Sequence, residues 1–335
     1  MTRRLSILLP CRDAELFLPE AIASIDAQTF TDFEVVAVDD GSTDATAEIL
    51  AAWARRDPRV RAGRAAGEGL VAALQTAVAL ARGEILARMD ADDVAEPSRL
   101  ERQVALLDAR PELAACGTLV RYFPRDALRD GARRYERWLN ALVEPEEIAR
   151  DLFVECPISH PTLVIRREAL AAVGGYRDLD WPEDYDLVLR LWAAGHAMAK
   201  VRETLLRWRE RADRLSRLHP RYAPEAFRRL KVHALRQTLL AERSGVLVWG
   251  AGPIGKGFAR ELGAQGVRVR AFVERDRRKI GQEIYDAPVV APDDVDRFRD
   301  AFAVAAVGSP GAREEIRAEL GRRGWREMRD FCAVA

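Results

Sequence analysis

Glu84-Ile85-Leu86-Ala87-Arg88-Met89-Asp90-Ala91-Asp92-Asp93 runs from an apolar, strand-like stretch directly into three carboxylates within four positions. Like charges packed this closely repel unless something cationic neutralises them. In an extended backbone Asp90 and Asp92, two residues apart, project to the same side. Hard oxygen ligands in that arrangement suit Mg²⁺ or Mn²⁺, with substrate phosphates completing the coordination shell. The alternative is an acidic turn that caps the helix starting near Pro97-Ser98. The surrounding chain bears on the choice.

Upstream, strand and helix signals alternate. Leu5–Leu9 reads as a buried strand ended by Pro10, followed by an amphipathic helix with Leu16, Ile22 and Ile25 on one side. Glu34–Val38 reads as a second buried strand, running into Asp39-Asp40-Gly41-Ser42-Thr43-Asp44. Ser42 or Thr43 can cap the next helix, which reaches about Arg56, and a third helix spans Leu70 to Ala81 before Gly83. Alternating βαβ units predict an α/β fold with a doubly wound, parallel or mixed sheet that binds ligands at the carboxyl ends of its strands. Asp39-Asp40 and Asp90-Asp92 both fall at such ends.

The 335 residues allow two domains, and 48% apolar with 32% charged residues is a globular composition. A formal net charge of zero gives no reason to expect nucleic acid as a partner. Cys11, Cys116, Cys156 and Cys332 form no CxxC or Cys/His cluster, which predicts free thiols in a reducing cytoplasm rather than a zinc site. The apolar run at Leu5–Leu9 is too short for a signal peptide, and no stretch approaches the roughly 18 apolar residues of a membrane span. The expected location is cytoplasmic, at most peripheral to the inner face of the membrane.

Five segments, in this order, carry a family resemblance: Leu8-Leu9-Pro10-Cys11-Arg12-Asp13; Val38-Asp39-Asp40-Gly41-Ser42-Thr43-Asp44; Arg88-Met89-Asp90-Ala91-Asp92-Asp93; Ser159-His160-Pro161-Thr162 with Arg166-Arg167; and Gly174-Gly175-Tyr176 followed by Trp181-Pro182-Glu183-Asp184-Tyr185-Asp186-Leu187-Val188-Leu189-Arg190-Leu191. Together they resemble the inverting family 2 glycosyltransferases of the GT-A fold over residues 4–210. The resemblance implies a nucleotide-diphosphate sugar donor, an acceptor hydroxyl on a glycan or lipid-linked carrier, and a role in surface polysaccharide or glycoconjugate synthesis. It also implies Mg²⁺ or Mn²⁺ as cofactor, bridging the oxygens of the leaving diphosphate.

By this resemblance Asp92 ligates the metal, and Asp90 holds the ribose or the metal's outer shell. Asp93 is a spare carboxylate or a cap. Asp40 is the base-recognition carboxylate, with Asp39 in turn chemistry beside it, while Pro10 and Arg12 line the same sheet end. Relatives often carry Tyr-Asn where this chain has Arg12-Asp13, so Arg12 stacks on the base or contacts phosphate. Asp184 is the expected catalytic base, with Glu183 as neighbour, at a helix N-terminus that keeps carboxylates ionised. Read without the resemblance, that pair is a helix-capping run. Arg88 and His160 are supporting candidates, His160 being either structural or in contact with phosphate or metal. Asp186 and Arg190, four apart, read as a surface pair.

Residues 209–224 look like a polar connector, and a helix is expected from Glu225 to Arg243. The expected partition is a GT-A domain over 1–215, a helical linker over 216–244 and a small Rossmann-like α/β domain over 245–335. Val246–Trp249 leads into Gly250-Ala251-Gly252-Pro253-Ile254-Gly255, and a strand at Val267–Val273 ends in Glu274. Gly250, Gly252, Gly255 and Glu274 are therefore candidates for a second nucleotide site. Val307-Gly308-Ser309-Pro310-Gly311 is a second turn near the same crevice. Two other functions fit these features: an NAD-dependent sugar oxidoreductase, for which no hydride-transfer residue set is evident, and a non-catalytic nucleotide-sugar-binding module.

Overall fold

Seven consecutive buried residues, Leu5–Cys11, form β1 at the centre of the first sheet. The computed structural model describes residues 3–335. These divide into one unit running to Ile148 and including Pro157–Leu179 and Glu183–Leu218, and a second made of Ala149–Cys156, Asp180–Pro182 and His219–Ala335.

In the first unit β1 is followed by α1 (Leu18–Asp26), β2 (Phe33–Asp39), α2 (Thr46–Arg56), β3 (Val60–Arg64), α3 (Leu70–Leu80) and β4 (Ile85–Arg88). Then come β5 (Val94–Ala95), α4 (Arg99–Ala109), β6 (Leu113–Phe123), α5 (Asp130–Ala141), α6 (Pro145–Asp151, its residues from Ala149 on belonging to the second unit), β7 (Val164–Arg166), α7 (Arg167–Ala172), α8 (Glu183–Ala193), β8 (Ala197–Arg209) and α9 (Leu215–Leu218). The strand order is β3-β2-β1-β4-β7-β6-β8-β5. The first four strands are parallel, β7 runs against both β4 and β6, β6 and β8 are parallel, and β5 opposes β8. The sheet is mixed. Its order reverses between β1 and β4, so the loops after these strands border the crevice where open α/β sheets take ligands.

Glycine is required where α3 returns to β4. A Cβ on Gly83 would stand 2.7 Å from the Leu5 carbonyl carbon and the Ser6 nitrogen, both backbone atoms of β1. The same approach lets the Gly83 N–H donate to Ser6 Oγ at 2.8 Å, while Ser6 donates to Glu34 at 2.7 Å. Two polar groups buried in the sheet are thereby hydrogen-bonded.

Several local expectations change. Pro10 does not end β1: it sits in the strand opposite Val38. Pairing to β4 stops at Leu8, so the missing Pro10 N–H breaks no bond on that side. Leu16 is 79% exposed and precedes α1, whose buried side is Leu18, Ala21, Ile22 and Ile25. The edge strand β3 was not anticipated, since its burial alternates through arginines. His160–Thr162 is a single 3-10 turn, and β7 begins two residues later at Val164.

The second unit contains α10 (Pro224–Gln237), β9 (Val246–Trp249), α11 (Pro253–Ala264), β10 (Val269–Val273), β11 (Glu283–Ile284), β12 (Ala287–Val290), β13 (Phe302–Ala305), α12 (Ala312–Arg322) and β14 (Phe331–Ala333). The strand order is β11-β12-β10-β9-β13-β14, parallel except for the β11–β12 hairpin. Helix α10 ends at Gln237 rather than near Arg243. Thr238 leaves helical geometry, and the Leu240 N–H turns back to the Leu235 carbonyl at 2.9 Å. All four cysteines are free and buried. Among the described residues no helix is long and apolar enough to cross a membrane.

Candidate active site

The acidic stretch after β4 is a turn, and this corrects the extended geometry expected for it. The Asp93 N–H points back to the Asp90 carbonyl at 3.4 Å, and the turn gathers the carboxylates that alternation was expected to align. One oxygen from each of Asp90, Asp92 and Asp93 lies within 4.8 Å of the others. Asp93 is not a cap. It is 1% exposed, its Oδ1 accepts the Arg209 N–H at 2.7 Å, and α4 begins at Arg99 with no side-chain cap. Its Oδ2 is buried without a hydrogen-bond partner.

Cations surround the turn. Arg88, buried at the end of β4, hydrogen-bonds Asp90 through Nη1. Below it Arg99 is fully buried, donating from Nη2 to the Arg88 carbonyl at 2.7 Å and from Nη1 to Met89 Sδ at 3.1 Å. Burial pulls the Arg99 pKa down to about 10. From the end of β8, Arg209 Nε donates to the Asp92 carbonyl at 2.7 Å, and Arg211 Nε lies 3.3 Å from Asp92 Oδ2. Arg214 is held over the Trp208 ring at 4.6 Å.

The carboxylates respond unequally. Burial pushes Asp90 up, but Arg88 and His160 outweigh it and hold the carboxyl below the usual range. Burial and then the Asp90 charge raise Asp92. Burial, Asp90 and Asp92 together raise Asp93 well above an ordinary aspartate. Three carboxylates of this kind fit a hard divalent cation: the donors are all oxygen, they converge, and one buried oxygen has no partner.

A second group lies in the same unit. Glu183 and Asp184 occupy the first turn of α8, Glu183 2% exposed and Asp184 half-buried. His160 is buried, with Nδ1 3.5 Å from Glu183 and Nε2 3.0 Å from the Tyr176 hydroxyl. Both ring nitrogens therefore face protein groups, which favours the structural reading of His160. The charges of Arg88, Glu183 and Asp184 all act on Tyr176, so this cluster and the acidic turn share one electrostatic environment. Asp186 and Arg190 are no surface pair. Asp186 is 4% exposed, and Arg190 donates to it at 2.8 Å and to the Gly175 carbonyl at 2.8 Å, bracing the turn that presents Tyr176.

The loops after β1 and β2 interlock. Asp13 N–H donates to Ser42 Oγ, Ala14 N–H to Thr46 Oγ1 and Glu15 N–H to Asp44 Oδ2, at 2.8–3.0 Å. In return Thr43 N–H donates to Asp13 Oδ1 at 2.8 Å and Ala45 N–H to Glu15 Oε2 at 2.9 Å. Ser42 and Thr43 therefore join loops instead of capping α2, whose Thr46 N–H is taken by Asp44 at 3.0 Å. Asp39 Oδ1 accepts the Ser42 N–H at 3.2 Å, a turn role. Asp40 is 7% exposed. It accepts the Gly69 N–H at 2.8 Å and faces exposed Arg12 at 3.4 Å.

In the second unit, Gly250 (φ +114°) and Gly255 are tied by close approach: a Cβ on Gly255 would stand 1.8 Å from the Gly250 oxygen. Space at Gly252 is open. Glu274 accepts the Ala251 N–H at 3.3 Å and the Lys279 ammonium at 3.0 Å, so its carboxylate sits against the glycine loop.

Sequence reading missed Tyr176 as a partner of His160, Arg99 beneath the acidic turn, Gly69 on Asp40, and the arginines after β8. The alternation of arginine with other residues from Arg207 to Arg217 was the available signal, but it was read as a connector.

Comparison with known proteins follows the same residues. The sequence profile of Glycosyl transferase family 2 matches residues 6–174. The chain is 31% identical over 219 residues to EpsE of Bacillus subtilis, covering 64% of this chain and 76% of EpsE. It is 28% identical over 201 residues to the amylovoran biosynthesis glycosyltransferase AmsE of Erwinia amylovora, covering 60% of this chain and 73% of AmsE. The crystal structure of S. aureus TarS 1–349 superposes with a TM-score of 0.55 at 18% identity, covering 70% of this chain and 66% of that one, and supports the fold. The chain belongs to glycosyl transferase family 2.

Proposed function

We propose that the first unit carries the catalytic chemistry: inverting, divalent-cation-dependent transfer of a sugar from a nucleotide-diphosphate donor to an acceptor hydroxyl. The observation that carries this reading is the convergence of Asp90, Asp92 and Asp93 in a unit where Glu183 and Asp184 open α8, with Asp90 and Glu183 both acting on the buried Arg88 guanidinium.

Asp184 takes the proton of the attacking hydroxyl, whose own pKa is far above neutrality. The positive end of α8 favours its ionised form. Glu183, held against His160, fixes the start of the helix. Asp92, with Asp90 and Asp93, would hold Mg²⁺ or Mn²⁺. When bound, such an ion neutralises charge on the departing diphosphate. Asp40 offers about four acceptor positions on its carboxylate, of which Gly69 and Arg12 take two, leaving capacity for an N–H of the donor base. Arg12, exposed and 3.4 Å from Asp40, would contact base or phosphate, with Pro10 in the same strand, β1.

The name of AmsE ties that relative to amylovoran biosynthesis, which supports a polysaccharide or glycoconjugate, free or lipid-linked, as the acceptor class. TarS 1–349 has been solved with UDP-GlcNAc, which makes uridine donors the first to try. The test is release of nucleoside diphosphate from a panel of common sugar donors, with Mn²⁺ or Mg²⁺ and acceptor extracts. Metal-dependent release from one donor class is expected; no release from any donor would overturn the reading.

A further inference from the structure

Arg88 and Arg211 neutralise the acidic turn in different ways. Arg88 is 3% exposed and hydrogen-bonded to Asp90. The side chain of Arg211 is 27% exposed. Its Nε comes within 3.3 Å of Asp92 Oδ2 without making a hydrogen bond, and its guanidinium rests over Phe17 at 4.9 Å and beside Asp213 at 3.4 Å. One cation is built in; the other is partly exposed and shared among Asp92, Asp213 and the Phe17 ring. Beside this contact Asp93 Oδ2 is buried and unpartnered, so the cluster retains acceptor capacity that Arg211 does not satisfy.

We propose that Arg211 is the resident counter-cation of Asp92, and that a divalent ion entering the cluster displaces it. Three carboxylates whose oxygens converge within 4.8 Å repel one another and call for positive charge beside them. Arg88 serves Asp90 permanently. Arg211 serves Asp92 until the ion arrives, then gives up that contact and keeps those to Phe17 and Asp213. The exchange replaces a monodentate, partly exposed ion pair by coordination that also engages Asp93. It sets the affinity of the empty protein for its cation, because every binding event must break the Arg211–Asp92 contact. This inference rests on the metal-dependent reading given above.

The test is a Mn²⁺ titration of the full chain without nucleotide, with free Mn²⁺ followed by electron paramagnetic resonance. Arg211→Gln should bind Mn²⁺ about three- to tenfold more tightly than the unaltered protein, the loss of one competing, partly exposed ion pair. Arg211→Lys, which keeps the charge, should stay near the unaltered affinity. The gain should vanish in Arg211→Gln combined with Asp92→Asn. Equal or weaker binding by Arg211→Gln, with Asp92→Asn still lowering affinity, would overturn the counter-cation role and leave the metal reading intact. If neither protein binds Mn²⁺ and Asp92→Asn changes nothing, both fall, since Arg211 would have no ion to compete with.

Discussion

The Tyr176 hydroxyl lies 3.0 Å from Nε2 of His160, whose other ring nitrogen faces Glu183 at 3.5 Å. A buried imidazole is thereby fixed between a phenol and the carboxylate that opens α8. Tyr176 positions the helix start, one residue ahead of the proposed base, without touching substrate. Tyr176→Phe should cost about 1 kcal/mol of stability, the usual net value of one hydrogen bond. It should lower kcat by roughly three- to tenfold with little change in donor KM, since Asp184 is misplaced and the donor pocket is not. Urea unfolding and steady-state kinetics check both, and a change confined to KM would contradict the positioning role.

The Arg190–Asp186 pair bears more weight than its i,i+4 spacing suggests. Arg190 also holds the Val173 and Gly175 carbonyls, and the side chain of Asp186 is 5% exposed. Arg190→Met removes the paired cation from a buried carboxylate and should cost about 3–5 kcal/mol. Arg190→Met combined with Asp186→Leu should recover much of that loss in a double-mutant cycle of denaturant unfolding.

The loop clasp predicts a pH effect. Burial slightly opposes ionisation of Asp44, but hydrogen bonds from Thr46 and the Glu15 N–H win and hold its carboxyl below the usual 3.8. A carboxyl depressed in the folded state adds stability that is complete above its unfolded pKa and is lost as pH falls through the folded one. Asp44→Ala should therefore cost about 1 kcal/mol near pH 7. The gap between variant and parent should close below pH 3.8, provided both remain folded there; chemical denaturation across pH measures it.

Removing the divalent ion with a chelator should abolish nucleoside diphosphate release and leave the fold intact. Arg88, Arg211 and Arg214 already surround the cluster with positive charge, so the empty site is not left as bare carboxylates. Circular dichroism before and after chelation, beside the activity assay, checks the two halves of this expectation.

The strands β1, β2 and β4 were legible because each is a short apolar run, β2 and β4 closed by acidic turn residues, and Gly83 marked the return from α3. The candidate carboxylates were legible for the same reason: they sit where such runs end. Arg99, Arg211 and Arg214 were not. Arg211 and Arg214 meet the acidic turn only because the sheet order places β5 beside β8, bringing residues more than a hundred positions apart in sequence against one another. Asp186 and Arg190 were misread because spacing reports that two side chains share a helix face and says nothing of what covers that face. Pro10 was misread because its cost depends on whether a neighbouring strand needs its N–H.

The most direct test of the account replaces Asp184 by Asn and measures donor binding and sugar transfer on the same preparation. The account predicts donor affinity within about twofold of the unaltered protein and a fall in kcat of at least about a hundredfold, the low end of what a general base contributes. Transfer persisting at near the original rate, or loss of donor binding along with it, would contradict the assignment of Asp184 as the base.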